Sequence, residues 1–440
     1  MTASLLIGGN MRTIQLRNHK SGQAYDLRLD TLPSAQFVPD AHATQGIEVE
    51  LPLRHADTLA PAPGEVVASL FGAEEWRSEE VAANTCEIKT RPYRNLGELL
   101  AEYRARACWL LDWADLHGLL IVPIAAEPLE LLTEVSSYGF IPKIADAKYG
   151  AAVLARSYAD CTQLNIHVAD GDALLALFRG MVRLAPILAG MYASSPFAGS
   201  KPAGVQSFRH VVRRGLANGG DPEVLPKTVR WEEYIVSHQA LTVMGPWFPT
   251  LFALNGMIRL RPDRMCVELG VTDLIADPHH LAGYLALCRR LAYRILLHYR
   301  EGEPLPDWFG PDEPAVQDAA FRSAMLSAVR LGADGLCCTQ SMKTMRITDA
   351  FSELIRWVKE SPVLDEPSLP FEAALPGLID LIDHGAPAQR LLKQFHELHP
   401  TCADPRHGCP GCRIAIGEVC RHLAAEFATQ QRKSPEESRG

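Results

Sequence analysis

In the segment GIEVELPL, from Gly46 to Leu53, apolar Ile47, Val49 and Leu51 alternate with Glu48 and Glu50. An extended chain sends successive side chains to opposite faces, so both carboxylates share one face. Glu87 in CEIKT and Glu268 in VELG are each a lone acid inside a short, otherwise mainly apolar stretch. Carboxylates are costly to place in an interior unless something neutralises them, which leaves solvent, a basic side chain or a hard metal ion as partner. For Glu48 and Glu50 alone a solvated strand face is the ordinary reading. Arg259 and Arg261 in MIRLRPDR are two residues apart. A strand aims both guanidiniums to one side, where they suit phosphate or carboxylate oxygens. Asn165 and His167 in QLNIHV share a face in the same way, with a hydrogen-bonded core histidine as the alternative for His167.

A second group of chemistry-bearing residues stands near the C terminus. HPTCADPRHGCPGC followed by RIAIGEVC sets Cys402, Cys409, Cys412 and Cys420 in order, with His399 and His407 interleaved. Zinc takes four tetrahedral ligands from thiolates and imidazoles, and a C-P-G-C turn suits two of them. A helix starting near Arg413 carries Cys420 about 10 Å along its axis at ~1.5 Å per residue. Cys402, Cys409 and Cys412 with His399 or His407 therefore make the better zinc set, and such a zinc would fasten a helical appendix. An iron–sulfur cluster, a thiol redox pair and unliganded cysteines are the alternatives.

The elements that must position these residues can be read from pattern. Strands are expected at Gly46 to Leu53, Cys86 to Thr90, Leu119 onward with Pro123 as an edge or bulge, Gln163 to Val168, and on both sides of the Pro-Asp turn after Arg261. Asn95, with Glu98 three positions on, caps a helix that ends at Gly118. A long apolar helix runs from about Asp172 to Tyr192 and is broken by SSPF. Asp277 and Pro278 open another to about Tyr299. From about Ile347 the chain reads as helices between Pro and Gly turns, and QQRKSPEESRG has the composition of a disordered tail.

Together these segments resemble the glutamate–cysteine ligase family 2 within the glutamine-synthetase-like carboxylate–amine ligases. GIEVEL resembles the family's G-x-E-x-E strand and CEIKTRPYRNLGEL its second acidic strand with T-x-P. CTQLNIHV is similar to its Gln-x-Asn or His-x-His strand, and MYASSPFAGS to its SSPF turn. IRLRPDRMCVELGVTD resembles its Arg-rich strand, second metal-binding glutamate and closing aspartate. AVRLGADG is similar to its late Ala-x-Arg-x-Gly segment. The likeness runs in consistent order from about residue 44 to 336. It implies an α+β fold with a curved antiparallel sheet and covering helices, whose concave face holds ATP, two or three magnesium ions and amino-acid substrates. ATP would phosphorylate a carboxylate, and an amine would displace the phosphate to leave an amide.

Carried over residue by residue, the resemblance assigns Glu48, Glu50, Glu87 and Glu268 to magnesium and Asn165 and His167 to metal or nucleotide phosphate. It gives Arg259 and Arg261 to the reacting groups, and Arg209 in QSFRH and Thr90 to substrate. The chain departs from the pattern at Glu127-Pro128, where relatives commonly have His-Pro. It departs again at Gly270, where many have the arginine of Glu-x-Arg. Glutamate plus cysteine is thus one substrate pair among others, and a peptide or carrier-bound acid, or a non-catalytic scaffold, are the alternatives.

The expected layout is a ligase domain over residues 1–345 and a helical Cys/His-bearing region over 346–440. A length of 440 residues with 47% hydrophobic and 22% charged content supports a sizeable core. A net charge of -9 gives no general reason to bind nucleic acid. The opening residues lack a secretory pattern, and apolar stretches are interrupted, so a cytoplasmic protein without a membrane span is expected, with eleven mostly reduced cysteines. A homo-oligomer is expected as well.

Overall fold

The computed structural model describes residues 13–17, 24–28, 44–71, 75–80, 82–129, 161–214, 257–261, 264–311, 314–360, 369–400 and 408–433. A hairpin of β1 (Thr13–Arg17) and β2 (Ala24–Arg28) comes first, an element that sequence pattern did not reveal. The main antiparallel sheet has the order β4 (Arg77–Glu79), β5 (Thr85–Lys89), β3 (Gln45–His55), β7 (Thr162–His167), β9 (Cys266–Leu269), β8 (Ile258–Arg261). The short β6 (Leu119–Ile121) pairs with the far end of β3, and its length stops before Pro123, which has no N–H to continue a ladder. A short helix α1 (Gly64–Ala68) follows β3. This arrangement is the expected α+β class of antiparallel sheet with covering helices.

Alternation in the strands splits the sheet into two unlike faces. Ile47, Val49, Leu51, Ile88, Leu164, Ile166, Val267, Leu269, Ile258 and Leu260 are all buried and belong to one apolar core. Packed with them are α2 (Leu96–Leu116), α3 (Gly171–Met191) and α5 (Pro278–Glu301), the short α4 (Phe208–Arg214) falling between the last two in the chain. Asn95 caps α2 by accepting from the Glu98 N–H at 2.9 Å, and Gly118 takes φ +65 just past its end. Asp277 caps α5 through the N–H groups of His279 and His280. Helix α3 is the one described helix long and apolar enough to cross a membrane, yet its side chains are buried among α5, α6 (Pro314–Leu331) and α7 (Ile347–Lys359). Gly180 permits that packing, since a β-carbon there would stand 2.8 Å from Ile295.

Two strands, β10 (Leu336–Cys338) and β11 (Thr344–Arg346), form a separate hairpin before α7. Helices α7 and α8 (Phe371–His384) contribute Phe351, Leu354, Leu378 and Leu381 to the same core as the sheet. Helices α9 (Pro387–Leu398) and α10 (Pro410–Arg432) build a smaller second core with Leu59, Val122, Ile124 and Phe197. The expectation of a disordered QQRKSPEESRG is corrected in part. Helix α10 continues through Arg432, with Gln431 buried and its carbonyl accepting from Arg104 at 2.7 Å. Residues 434–440 lie outside the described residues.

Candidate active site

The face of the sheet opposite the core carries the predicted residues. Register does the positioning: Glu50 lies across from Glu87, Glu48 across from Lys89 on one side and Gln163 on the other, and Asn165 and Arg259 flank Glu268. Segments more than 200 residues apart in sequence thus meet in a few ladder steps. Glu50 accepts from the Cys161 N–H at 2.7 Å and from Gln163 Nε2 at 2.8 Å. Glu87 accepts from Ser78 Oγ at 2.7 Å and pairs with Lys89 at 2.7 Å. Glu80 joins them, because carboxylate oxygens of Glu50, Glu80 and Glu87 all lie within 4.8 Å of one another. Sequence reasoning missed Glu80, which sits in the charged run RSEE with no apolar alternation to mark it.

Charge compensation along this face is uneven. Glu268 is buried and bound by both Arg259 and Arg261, the latter at 2.9 Å. Glu48 has weaker partners, Asn165 Nδ2 and the half-exposed Arg264, each at 3.3 Å. Burial, with the negative charges of Glu87 and Glu268 adding to it, pushes the Glu48 carboxyl up to about 7. Burial opposes the charge of Lys89, but Glu87, Glu48 and Glu80 outweigh it and raise the ammonium above its usual value. This is the electrostatics of an anionic cluster whose repulsion a bound cation would relieve. His167 is exposed at the end of β7, on the same face and opposite Cys266.

The remaining predicted residues have different surroundings. Thr90 Oγ1 accepts from the Ile47 N–H at 3.0 Å and so fastens the start of β3. Arg209 is 2% exposed and donates to the carbonyls of Thr272 at 3.1 Å and Gly270 at 2.8 Å, beside Asp273 at 3.9 Å. Asp273 explains the SSPF turn, since it accepts from the Ser194 N–H, Ser195 Oγ and Ser207 Oγ within 2.7–2.9 Å. Burial raises the Asp273 carboxyl, though Arg209 and these donors pull the other way. A side chain at Gly270 would stand beside Gln163, 3.9 Å from its Cγ. Glu127 is buried in an ion pair with Arg54.

At the C terminus, His399, Cys409 and Cys412 come together, while Cys402 and His407 lie outside the described residues. Helix α10 begins at Pro410 rather than near Arg413, and Cys420 lies about 12 Å farther along it than Cys412. Cys420 faces the Arg54 and Glu127 pair, and burial pushes its thiol up to about 12. The exposed Cys409 thiol is brought down to about 6, first by its hydrogen bond with His399 and then by those with Cys412. A separate cavity of about 160 Å³ lies between the start of α5, α9 and α10, lined by His280, Arg390 and His422, and none of the predicted residues reaches it.

A Bordetella petrii protein provisionally named glutamate–cysteine ligase 2 is 27% identical over 82% of this chain and 84% of its own length. A Paenarthrobacter aurescens protein provisionally named glutamate–cysteine ligase 2-3 is 25% identical over 88% and 89%. Among solved structures, the Francisella tularensis glutamate–cysteine ligase in complex with AMP shares the fold with a TM-score of 0.59 at 12% identity, covering 88% of this chain and 89% of that one. The bifunctional glutathione synthetase of Pasteurella multocida gives a TM-score of 0.57 at 14% identity over 88% and 53%. The model of glutamate-cysteine ligase family 2 matches residues 44–408. The chain belongs to that family.

Proposed function

We propose that this protein is an ATP-dependent carboxylate–amine ligase that activates an acid as its acyl phosphate and transfers it to an amine. One observation carries the reading: four glutamates and two arginines from four strands share one polar sheet face, backed by an unbroken apolar core. Family membership and the fold shared with ligases support it.

Oxygen donors suit magnesium, and the convergence of Glu50, Glu80 and Glu87 beside Glu48 fits that ion. Glu48, Glu50, Glu87 and Glu268 would hold it, with Glu80 added by the geometry. When bound, magnesium would supply positive charge to offset that of the nucleotide's phosphates. The chain's own residues do the rest. Arg259 and Arg261 steady the transferring phosphoryl group and the developing oxyanion. Asn165 and His167 contact nucleotide phosphate. Thr90 and Arg209 act in this scheme as positioning residues, because their polar atoms hold the backbone of residues 47 and 270–272.

Glutamate and cysteine are one candidate pair in this reading, with a peptide or carrier-bound acid as the alternative. Glu127 is held by Arg54 inside the protein, and Gly270 offers no guanidinium where many relatives have one. To test the function, the purified protein is incubated with ATP, magnesium and pooled amino acids or short peptides. Phosphate and new amide masses are measured beside a Glu48→Ala, Glu268→Ala double variant. Amide and phosphate that both vanish in the folded variant support a ligase and name its substrates. Absence of nucleotide binding in the wild type would refute the reading in favour of a scaffold.

A further inference from the structure

Away from the sheet, the junction of α9 and α10 gathers three residues from two helix ends. His399 ends α9 as its C-terminal cap, Cys409 is the N-cap of α10, and Cys412 is the third residue of that helix. His399 Nε2 lies 3.3 Å from Cys409 Sγ, which lies 3.5 Å from Cys412 Sγ. One ligand atom from each residue falls within 4.8 Å of the other two. In a tetrahedral zinc site, with Zn–S about 2.3 Å and Zn–N about 2.0–2.1 Å, sulfurs stand about 3.8 Å apart and sulfur stands about 3.5 Å from nitrogen. The His399–Cys409 and Cys409–Cys412 spacings differ from those values by only about 0.3 Å, and the third pair lies within 4.8 Å.

Two further features fit a ligand set rather than an accidental cluster. Gly411 lets the imidazole approach, since a β-carbon there would stand 2.7 Å from His399 Cε1 and 2.9 Å from Nε2. The cluster also sits at the rim of the smaller core, where Phe395 of α9 and Ile416 of α10 pack with Phe197, Val122 and Ile124. A metal there would cross-link both helices over the loop that carries SSPF. Two thiolates and an imidazole are a zinc-type donor set, whereas the carboxylate face of the sheet suits a hard ion.

We propose that His399, Cys409 and Cys412 form a zinc site that locks the α9–α10 pair against the Phe197 turn. This site is independent of the ligase reading. Full-length protein, with its affinity tag removed and no chelator used, is analysed for metals by mass spectrometry. It is then stripped and titrated with cobalt(II). The expected result is stoichiometric zinc, and a cobalt complex with thiolate charge-transfer and strong tetrahedral visible bands. Cys409→Ser and Cys412→Ser each weaken cobalt binding by more than the roughly 10–100-fold that loss of an outer-shell partner costs. His399→Cys, which keeps a ligand in place, retains the metal, and His399→Ala does not.

Wild-type protein that takes up neither metal overturns the proposal, as do serine variants that bind as well as wild type. So does air oxidation that closes a Cys409–Cys412 disulfide equally fast with and without zinc. If a serine variant fails to fold by circular dichroism, mercurial titration of the wild type decides. Zinc released in step with the modified thiols supports the site, and thiols modified with no zinc released refute it.

Discussion

The polar face of the sheet and the junction of α9 with α10 each assemble donor atoms, and they do so by opposite means. On the sheet the donors are oxygens placed by ladder register, held by backbone hydrogen bonds on both sides and by the apolar core beneath. Their counter-charges stand on the same sheet, Lys89 beside Glu87 on β5 and Arg259 and Arg261 on β8 next to Glu268. At the junction the donors are nitrogen and sulfur at two helix ends, and their spacing depends on how a small second core seats α9 against α10. Strand register gives fixed positions for reactive groups from distant segments. Helix ends give a local clamp whose role is to hold the chain.

This contrast can be broken most severely at the sheet. A Glu50→Ala, Glu87→Ala variant is expected to lower ATP turnover at least about 100-fold, equivalent to ~3 kcal/mol of lost transition-state stabilisation. Its zinc content, measured alongside, stays that of the wild type. Equal loss of zinc would show that the two regions are not independent. The buried Arg54–Glu127 pair lies between them, beside Cys420. Arg54→Met takes the guanidinium away from buried Glu127, which costs about 3–5 kcal/mol. Urea denaturation should show that loss, with most of it recovered in an Arg54→Met, Glu127→Leu double variant. No recovery would mean that the pair does more than satisfy itself.

A smaller effect is expected where α8 meets α5 and α9. Asp380 accepts from His280 Nε2 at 2.7 Å and pairs with Arg390. Burial would raise its carboxyl, but the His280 and Arg390 hydrogen bonds prevail and bring it down to about 2. A carboxyl depressed by folding adds stability that is present above its unfolded value near 4 and is lost as pH falls toward 2. Because Asp380 is 36% exposed, solvent screening holds the contribution to on the order of 1 kcal/mol. Asp380→Asn should therefore destabilise at pH 6 and match the wild type near pH 2 in denaturant melts. A constant difference across that range would contradict the assignment. Smallest of all, Arg264→Ala removes a half-exposed partner of Glu48 and should change stability by less than about 0.5 kcal/mol.

Much of this arrangement was legible in the sequence where alternation was strict. Glu48 and Glu50 fell on one face because Ile47, Val49 and Leu51 fell on the other, and Asn95 and Asp277 announced their helices through their caps. Register between strands was not legible, because it depends on partners far apart in sequence. The meeting of Glu50 with Glu87 rested on family likeness until the ladder placed it. Glu80 carried no periodic signal, and Arg209 was assigned to substrate because sequence does not tell which carbonyls will surround a guanidinium. The start of α10 was read three residues late: Pro410 belongs to its first turn, and C-P-G-C reads equally as a turn.

The central claim is that the sheet's polar face couples ATP cleavage to activation of a carboxylate. Its most direct test supplies the acid substrate with 18O in its carboxylate and follows the label by mass spectrometry. One 18O atom is expected in each released phosphate, because the acyl phosphate breaks between carbon and the bridging oxygen. Phosphate released without label, while amide still forms, would contradict it.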